Sequence, residues 1–312
     1  MSEHPPVPRT DPKTAVRRYF DRTATDYLEA YAQATTRGET FRERRRLVLA
    51  MTRDPVGRVV DIGAEPGVFT DELVRRGATC VVADVSVEML AAARRVDDSG
   101  AASDRVVHVA ADVERLALRA GAFDTVLCVG VLQYLVAPER ALAELARVTR
   151  PHGQVLVTFP NARSPLNRLH AAAITTARTA RRGLRRVGFC ADVDPTRLTF
   201  RDDIPNAAFD LAGMRAAAHA AGLLPADIAC HGLLFPFTLP RLGVAAAAWN
   251  RAARRAPPAI RRRWGREMVI RFLRRAGAVC AFWHARRSAR SSTWPDGAGS
   301  RALPSPCSCI TR

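Results

Sequence analysis

The sequence predicts an α/β fold, a doubly wound and mostly parallel sheet with helices on both faces. Two observations carry this. Between residues 58 and 159 short Val-rich runs alternate with helical segments, and the runs are apolar throughout, as strands covered on both faces must be. The first run ends in a glycine-rich turn, Asp61-Ile62-Gly63-Ala64-Glu65-Pro66-Gly67, the form a chain takes when it swings from a strand into a helix beside a ligand.

Taken in order, residues 12–52 carry two helical patterns, one from Val16 to Tyr31 and one from Glu39 to Met51, closed by Asp54-Pro55. Strand and helix periods then alternate: strand Arg58–Ile62, helix Val68–Arg76, strand Thr79–Asp84, helix Val87–Arg95, strand Val106–Ala110, strand Thr125–Val129, helix Pro138–Val148 and strand Gln154–Phe159. Pro160-Asn161 breaks the pattern. A helix Leu211–Ala221 and one or two strands within Leu224–Phe235 follow, then Arg-rich amphipathic stretches after Pro240. The expected organisation is N-terminal lid helices over 1–55, a ligand-binding domain over 56–240 with a helical insertion at about 161–205, a basic helical extension over 241–287, and a disordered Ser/Gly/Pro/Arg tail over 288–312.

Charge divides the chain unevenly. The net charge is +18, yet the first 160 residues hold 22 basic and 22 acidic side chains, so the excess lies wholly in the second half. Lys13 is the only lysine; the other basic residues are Arg, a skew that says more about coding bias than about partners. No run reaches the roughly 18 apolar residues needed to span a bilayer, and the N-terminus has no apolar signal core, so the expected location is cytoplasmic. The seven cysteines are scattered without metal-ligand spacing and read as reduced thiols; no metal site is expected.

The glycine turn departs from a dinucleotide fingerprint. G-x-G-x-x-G is absent, and Asp61 stands immediately before the first glycine, where an acid suits a ligand bringing an ammonium group. Asp84, closing the second strand, is placed to accept two ribose hydroxyls. Over residues 12–235 the chain resembles the class I S-adenosylmethionine-dependent methyltransferases, in the branch of the quinone-biosynthesis and magnesium-protoporphyrin enzymes. The resemblance rests on several motifs in order. These are the Asp61–Gly67 loop, Val82-Ala83-Asp84-Val85-Ser86-Val87-Glu88-Met89-Leu90, Ala111-Asp112-Val113, the run from Phe123 through Val129-Gly130 to Leu135, Leu145–Gln154, and the lid-like Tyr19–Tyr27 segment.

The resemblance implies a Rossmann-like sheet of about seven strands and S-adenosylmethionine as cofactor. It implies a cofactor wall of Tyr19, Asp61, Gly63, Ala64, Gly67, Asp84, Val85, Met89, Asp112, Val113, Val129 and Gly130. Tyr134, Tyr27 and His231 are the candidates to orient or deprotonate an acceptor hydroxyl, and the resemblance tilts the methylated atom towards oxygen. Two departures stand out. Glu65 replaces the usual middle glycine, and because a residue before proline favours extended angles, its side chain is expected to project to solvent. Gln133-Tyr134 replaces a frequent Glu-His pair, and neither substitute is a base near neutral pH.

Three function classes stay open on sequence. The first is a methyltransferase acting on a small hydrophobic acceptor, lipid-like or quinone-like, with the Arg and Trp stretches of 241–287 making peripheral contact with an anionic membrane. The second is a cofactor-binding protein of this fold that has lost turnover. The third is a basic nucleic-acid-binding module, disfavoured because the RNA ribose methyltransferases that vary this loop use two lysines and this chain has one. The sequence names neither the acceptor nor an oligomeric state.

Overall fold

The computed structural model describes residues 11–98, 103–186, 204–233 and 243–276. The expected tail 288–312, the end of the 241–287 segment and most of 187–205 lie outside them. Two helices lead, α1 (Pro12–Ala32) and α2 (Thr36–Met51). Asp11 caps α1 by accepting from Thr14 N–H, Pro12 occupies its first turn, and Thr35 caps α2 through Gly38 N–H.

Then come β1 (Arg58–Ile62), α3 (Thr70–Arg75), β2 (Thr79–Asp84), α4 (Val87–Asp98), β3 (Val106–Ala110), β4 (Phe123–Cys128), α5 (Pro138–Val148) and β5 (Thr149–Pro160). The chain continues through α6 (Pro165–Arg186), α7 (Leu211–Ala220), β6 (Leu223–His231), α8 (Gly243–Ala253), α9 (Pro258–Trp264) and β7 (Glu267–Arg274). The seven strands form one sheet in the order β3-β2-β1-β4-β5-β7-β6. β1 to β5 pair in parallel, and β7 runs antiparallel between β5 and β6. The central strands are buried on both faces, with Val59, Val60, Val126, Leu127, Val155 and Leu156 fully inaccessible.

The structure corrects one expectation about organisation. Residues 241–287 are not a separate helical extension, because Glu267–Arg274 is β7, an interior strand whose Val269, Ile270 and Phe272 are fully buried. The sheet therefore extends past residue 240. A run of Met, Val, Ile, Phe and Leu between two arginine clusters buries far more apolar surface as an interior strand than on an exposed helix.

The strand order reverses between β1 and β4, and at such a switch point the loops leaving neighbouring strands diverge and open a crevice. α1 packs on α4 and α2 across that edge. α2 is in turn clasped from outside by α8, through Arg254 on Glu43 at 2.6 Å and Asn250 donating to Glu39 at 3.3 Å.

Candidate active site

The crevice holds a pocket that opens to solvent. Its floor comes from strand ends: Ile62 and Gly63 after β1, Asp84 and Val85 after β2, Ala111 to Val113 after β3, and Gly130 and Val131 after β4. Its roof is one face of α1, Lys13, Val16, Phe20 and Tyr27, residues that recur at helical spacing. Tyr134, Leu135, Val136, Met89 and Glu65 complete the wall.

Gly63 has φ +66° and donates its N–H to Ala83 at 2.7 Å, and a Cβ there would run into Val131, so only glycine fits. Gly67, φ +69°, lets the loop approach α4: a Cβ would lie 3.4 Å from the Ala93 Cβ. Asp84 accepts from Ser86 N–H at 2.8 Å, and the Ser86 hydroxyl donates to Asp21 of α1 at 2.6 Å, tying the lid to the end of β2. At the far end Lys13 bridges Asp112 at 2.6 Å and also meets Glu114.

The floor is acidic and short of compensating charge. Burial drives the Asp84 carboxyl up to about 7, against the backbone N–H groups of Ser86 and Val85 that favour its ionised form; nearby Glu65 and Asp21 push it further up. Asp61 lies just beneath, 1% exposed, with neither carboxylate oxygen hydrogen-bonded. Burial raises it well above the ordinary carboxyl range, reinforced by Glu65, Asp84 and Asp97. Two desolvated carboxyls in one floor call for a proton or a cationic ligand.

Of the residues singled out in the sequence, the structure brings Gly63, Asp84, Val85, Met89, Asp112, Val113, Gly130, Tyr27 and Tyr134 to the pocket wall. Asp61, Ala64, Gly67 and Val129 support it from behind: Ala64 and Val129 are 1% and 2% exposed, and none of the four lines the cavity. Tyr19 does not line it either. It stacks edge-on against Phe20 at 5.2 Å, because the phase of α1 turns Phe20 inward in its place.

His231 is also misplaced as an acceptor-side residue. It is buried on β6 and does not line the cavity, its Nε2 lying 3.2 Å from Glu267. Gln133 turns its amide to Gly130, donating to the carbonyl at 2.9 Å, and braces the lip without facing the cavity.

Glu65 overturns the expectation of extended angles and a solvent-facing side chain. Its φ is +52°, in the left-handed region, and its side chain is 11% exposed. Tyr31 donates to one carboxylate oxygen at 2.6 Å and Arg44 to the other at 2.6 Å, and two such bonds outweigh the local preference set by Pro66. Neither Arg44 nor Tyr31 shows in the motif pattern; both belong to the helical lid, where an Arg-rich stretch conceals the buried guanidinium of Arg44.

Residues 60–157 match the family model described as a methyltransferase domain. The match covers about a third of the chain, which over this segment is similar to methyltransferase domains. Among curated relatives, the demethylmenaquinone methyltransferase of Mycolicibacterium gilvum is 42% identical over 114 residues, 36% of this chain and 46% of that protein. The chain thus spans about half the length of the curated relatives it matches.

Two solved structures share the fold at low identity. The magnesium protoporphyrin IX methyltransferase of Synechocystis PCC 6803, with bound S-adenosylhomocysteine, gives a TM-score of 0.54 at 15% identity, covering 84% of this chain and 99% of that one. The [4+2]-cyclase SpnF gives 0.57 at 18% identity, covering 87% and 99%. A methyltransferase and a cyclase on one fold place the burden of function on the pocket itself.

Proposed function

We propose that the protein is an S-adenosylmethionine-dependent methyltransferase acting on a small hydrophobic acceptor of quinone-like or lipid-like character, with oxygen as the methylated atom. The observation that carries the reading is the acidic floor beneath an otherwise apolar cavity. Asp61, buried with both oxygens unpartnered, suits the ammonium and sulfonium charges of this cofactor. Asp84 at the end of β2 suits its ribose hydroxyls, and Asp112 after β3 suits the adenine amino group. The cofactor, when bound, supplies a methyl group already activated by the sulfonium.

The chain's own part is positioning and exclusion of water. α1 closes the roof with Val16 and Phe20, and Val131, Leu135 and Val136 make an apolar mouth that accepts a flat or branched hydrocarbon body. These residues would hold an acceptor oxygen in line with the methyl group that the bound cofactor would supply. Tyr27 and Tyr134 are the pocket hydroxyls within reach of an acceptor, as hydrogen-bonding groups rather than strong bases. The acceptor is therefore a phenol or enol acidic enough to shed its proton to solvent.

The same reading includes peripheral contact with an anionic membrane. Trp249, Ile260 and Trp264 are 56%, 46% and 42% exposed. α9 ends at the pocket edge of the sheet, where the Ser164 hydroxyl donates to the Trp264 carbonyl at 2.9 Å, and Arg261, Arg262 and Arg263 stand on the same helix. Among the described residues no helix is long and apolar enough to cross a membrane.

Calorimetric titration with S-adenosylmethionine, followed by transfer of a labelled methyl to a panel of phenolic and quinol acceptors, tests the reading. Cofactor binding with transfer to a hydrophobic phenol supports it, and absence of binding overturns it. Flotation with anionic vesicles at low salt tests the membrane part, which fails if the protein stays with the soluble fraction.

A further inference from the structure

The buried pair of Glu65 and Arg44 sits where a ligand would reach the end of the crevice. Glu65 lines the pocket, and a Cβ built on Gly130 at the end of β4 would lie 3.3 Å from Arg44 Nη1 and 3.6 Å from Glu65 Oε1. The Glu65 side chain therefore crosses from the β1 loop, over the end of β4, to α2. Behind it, Arg44 is 7% exposed, stacks over Phe41 at 4.8 Å, and has its Nε buried without a partner.

Arg44 already faces two carboxylates, Glu65 at 2.6 Å and Glu267 at 3.6 Å. A third carboxylate, brought by a ligand, would compete with these two for the buried guanidinium. Glu267 is fixed, since it opens β7 in register with His231 and lies 3.2 Å from that imidazole. Glu65 is the one free to move. It sits on a loop, at a backbone angle that side chains rarely adopt, and facing the cavity.

Resting on the cofactor reading above, we propose that Glu65 is a placeholder carboxylate: it occupies Arg44 until the α-carboxylate of the bound amino-acid moiety replaces it, and so sets the site's selectivity for carboxylate-bearing ligands. The exchange swaps one ion pair for another of the same kind. A ligand with the carboxylate thus gains little over one without it while Glu65 is present.

The test compares S-adenosylmethionine with decarboxylated S-adenosylmethionine, by calorimetry, on the intact protein and on the Glu65→Gly and Glu65→Gln variants. In the unmodified protein the two ligands should bind within about threefold of each other. In both variants the carboxylate-bearing ligand should be favoured by about 10–100-fold, the usual worth of a hydrogen bond to a buried charged group. Glu65→Gly relieves the backbone angle, Glu65→Gln keeps a polar partner for Arg44 and Tyr31, and a purely structural role would shift both ligands equally.

A ratio that does not change, or an unmodified protein that already prefers the carboxylate by more than tenfold, overturns the proposal. If no form binds either ligand, nor S-adenosylhomocysteine, the cofactor reading falls and takes the proposal with it. Binding of all three ligands with an unchanged ratio removes only the role of Glu65.

Discussion

Replacing Asp84 with Asn should make the ligand-free protein more stable at alkaline pH while weakening cofactor binding. The Asp84 carboxyl titrates at about 7, because burial penalises its charge. An unfolded aspartate titrates at about 3.9, so unfolding releases the proton and stability falls as pH rises through this window. Three units at about 1.4 kcal/mol each put the cost of ionised Asp84 at about 4 kcal/mol above pH 7.

Asn keeps an oxygen to accept from Ser86 N–H, at 2.8 Å in the parent, and carries no charge to desolvate. With about half the cost recovered, thermal melting at pH 8 should rise by about 4–8 °C in the variant. At pH 4 the two proteins should melt together. Asp61 titrates in the same direction and is itself raised by Asp84, so the variant's pH profile subtracted from the parent's reports Asp84 together with its coupling to Asp61. Cofactor affinity should fall by about 10–100-fold, since two ribose hydroxyls lose their charged acceptor. A variant no more stable at pH 8, or one that binds the cofactor as the parent does, refutes the account of this floor.

Other expectations follow from the same geometry. Cofactor affinity of the parent should weaken about tenfold per pH unit below 7, because the ionised floor binds the ligand; a flat calorimetric profile from pH 8 to 5.5 counts against this. Glu267→Gln should cost up to about 3 kcal/mol at pH 7 and nothing near pH 2: burial opposes its charge, but Arg44 and His231 prevail and hold the carboxyl at about 2, so its contribution is full above pH 4.5 and lost as pH falls. Urea unfolding at the two pH values reads the difference. Gly63→Ala should abolish cofactor binding in fluorescence titration, since the new methyl meets both Val131 and a positive φ. Trp249→Ala with Trp264→Ala should lower recovery with anionic vesicles in a protein that still melts cooperatively, both side chains being about half exposed.

Much of the site was legible because its chemistry is bound to strand ends. Asp84, Asp112 and Gly130 follow runs that can only be buried strands, and a residue closing a parallel strand is delivered to the ligand edge by topology alone. The roof was less legible. Tyr19 and Phe20 are adjacent aromatic residues on α1, so only the packing of α1 on α4 decides which one faces the pocket. Glu65 eluded a local rule, since the restriction imposed by Pro66 is weaker than two short bonds from residues 34 and 21 positions away. β7 was hidden by its neighbours: Arg261 to Arg263 on one side and Arg274 and Arg275 on the other gave the stretch a basic, helical look, and pairing to β5 and β6 is invisible to local periodicity.

The position of β7 also bears on how the chain comes together during synthesis. The five parallel strands are complete by Pro160, and the described part of the lid helices has already emerged by then. β6 is made next, yet it bonds only to β7, which is finished about 40 residues later, at Arg274. Until then the β5 edge and the whole of β6 present unpaired backbone groups, a template for the wrong partner. A ribosome that stalled within α8 or α9 would release a protein with most of its pocket loops in place but a raw sheet edge beside them. Its first failure would be aggregation, ahead of any loss of chemistry.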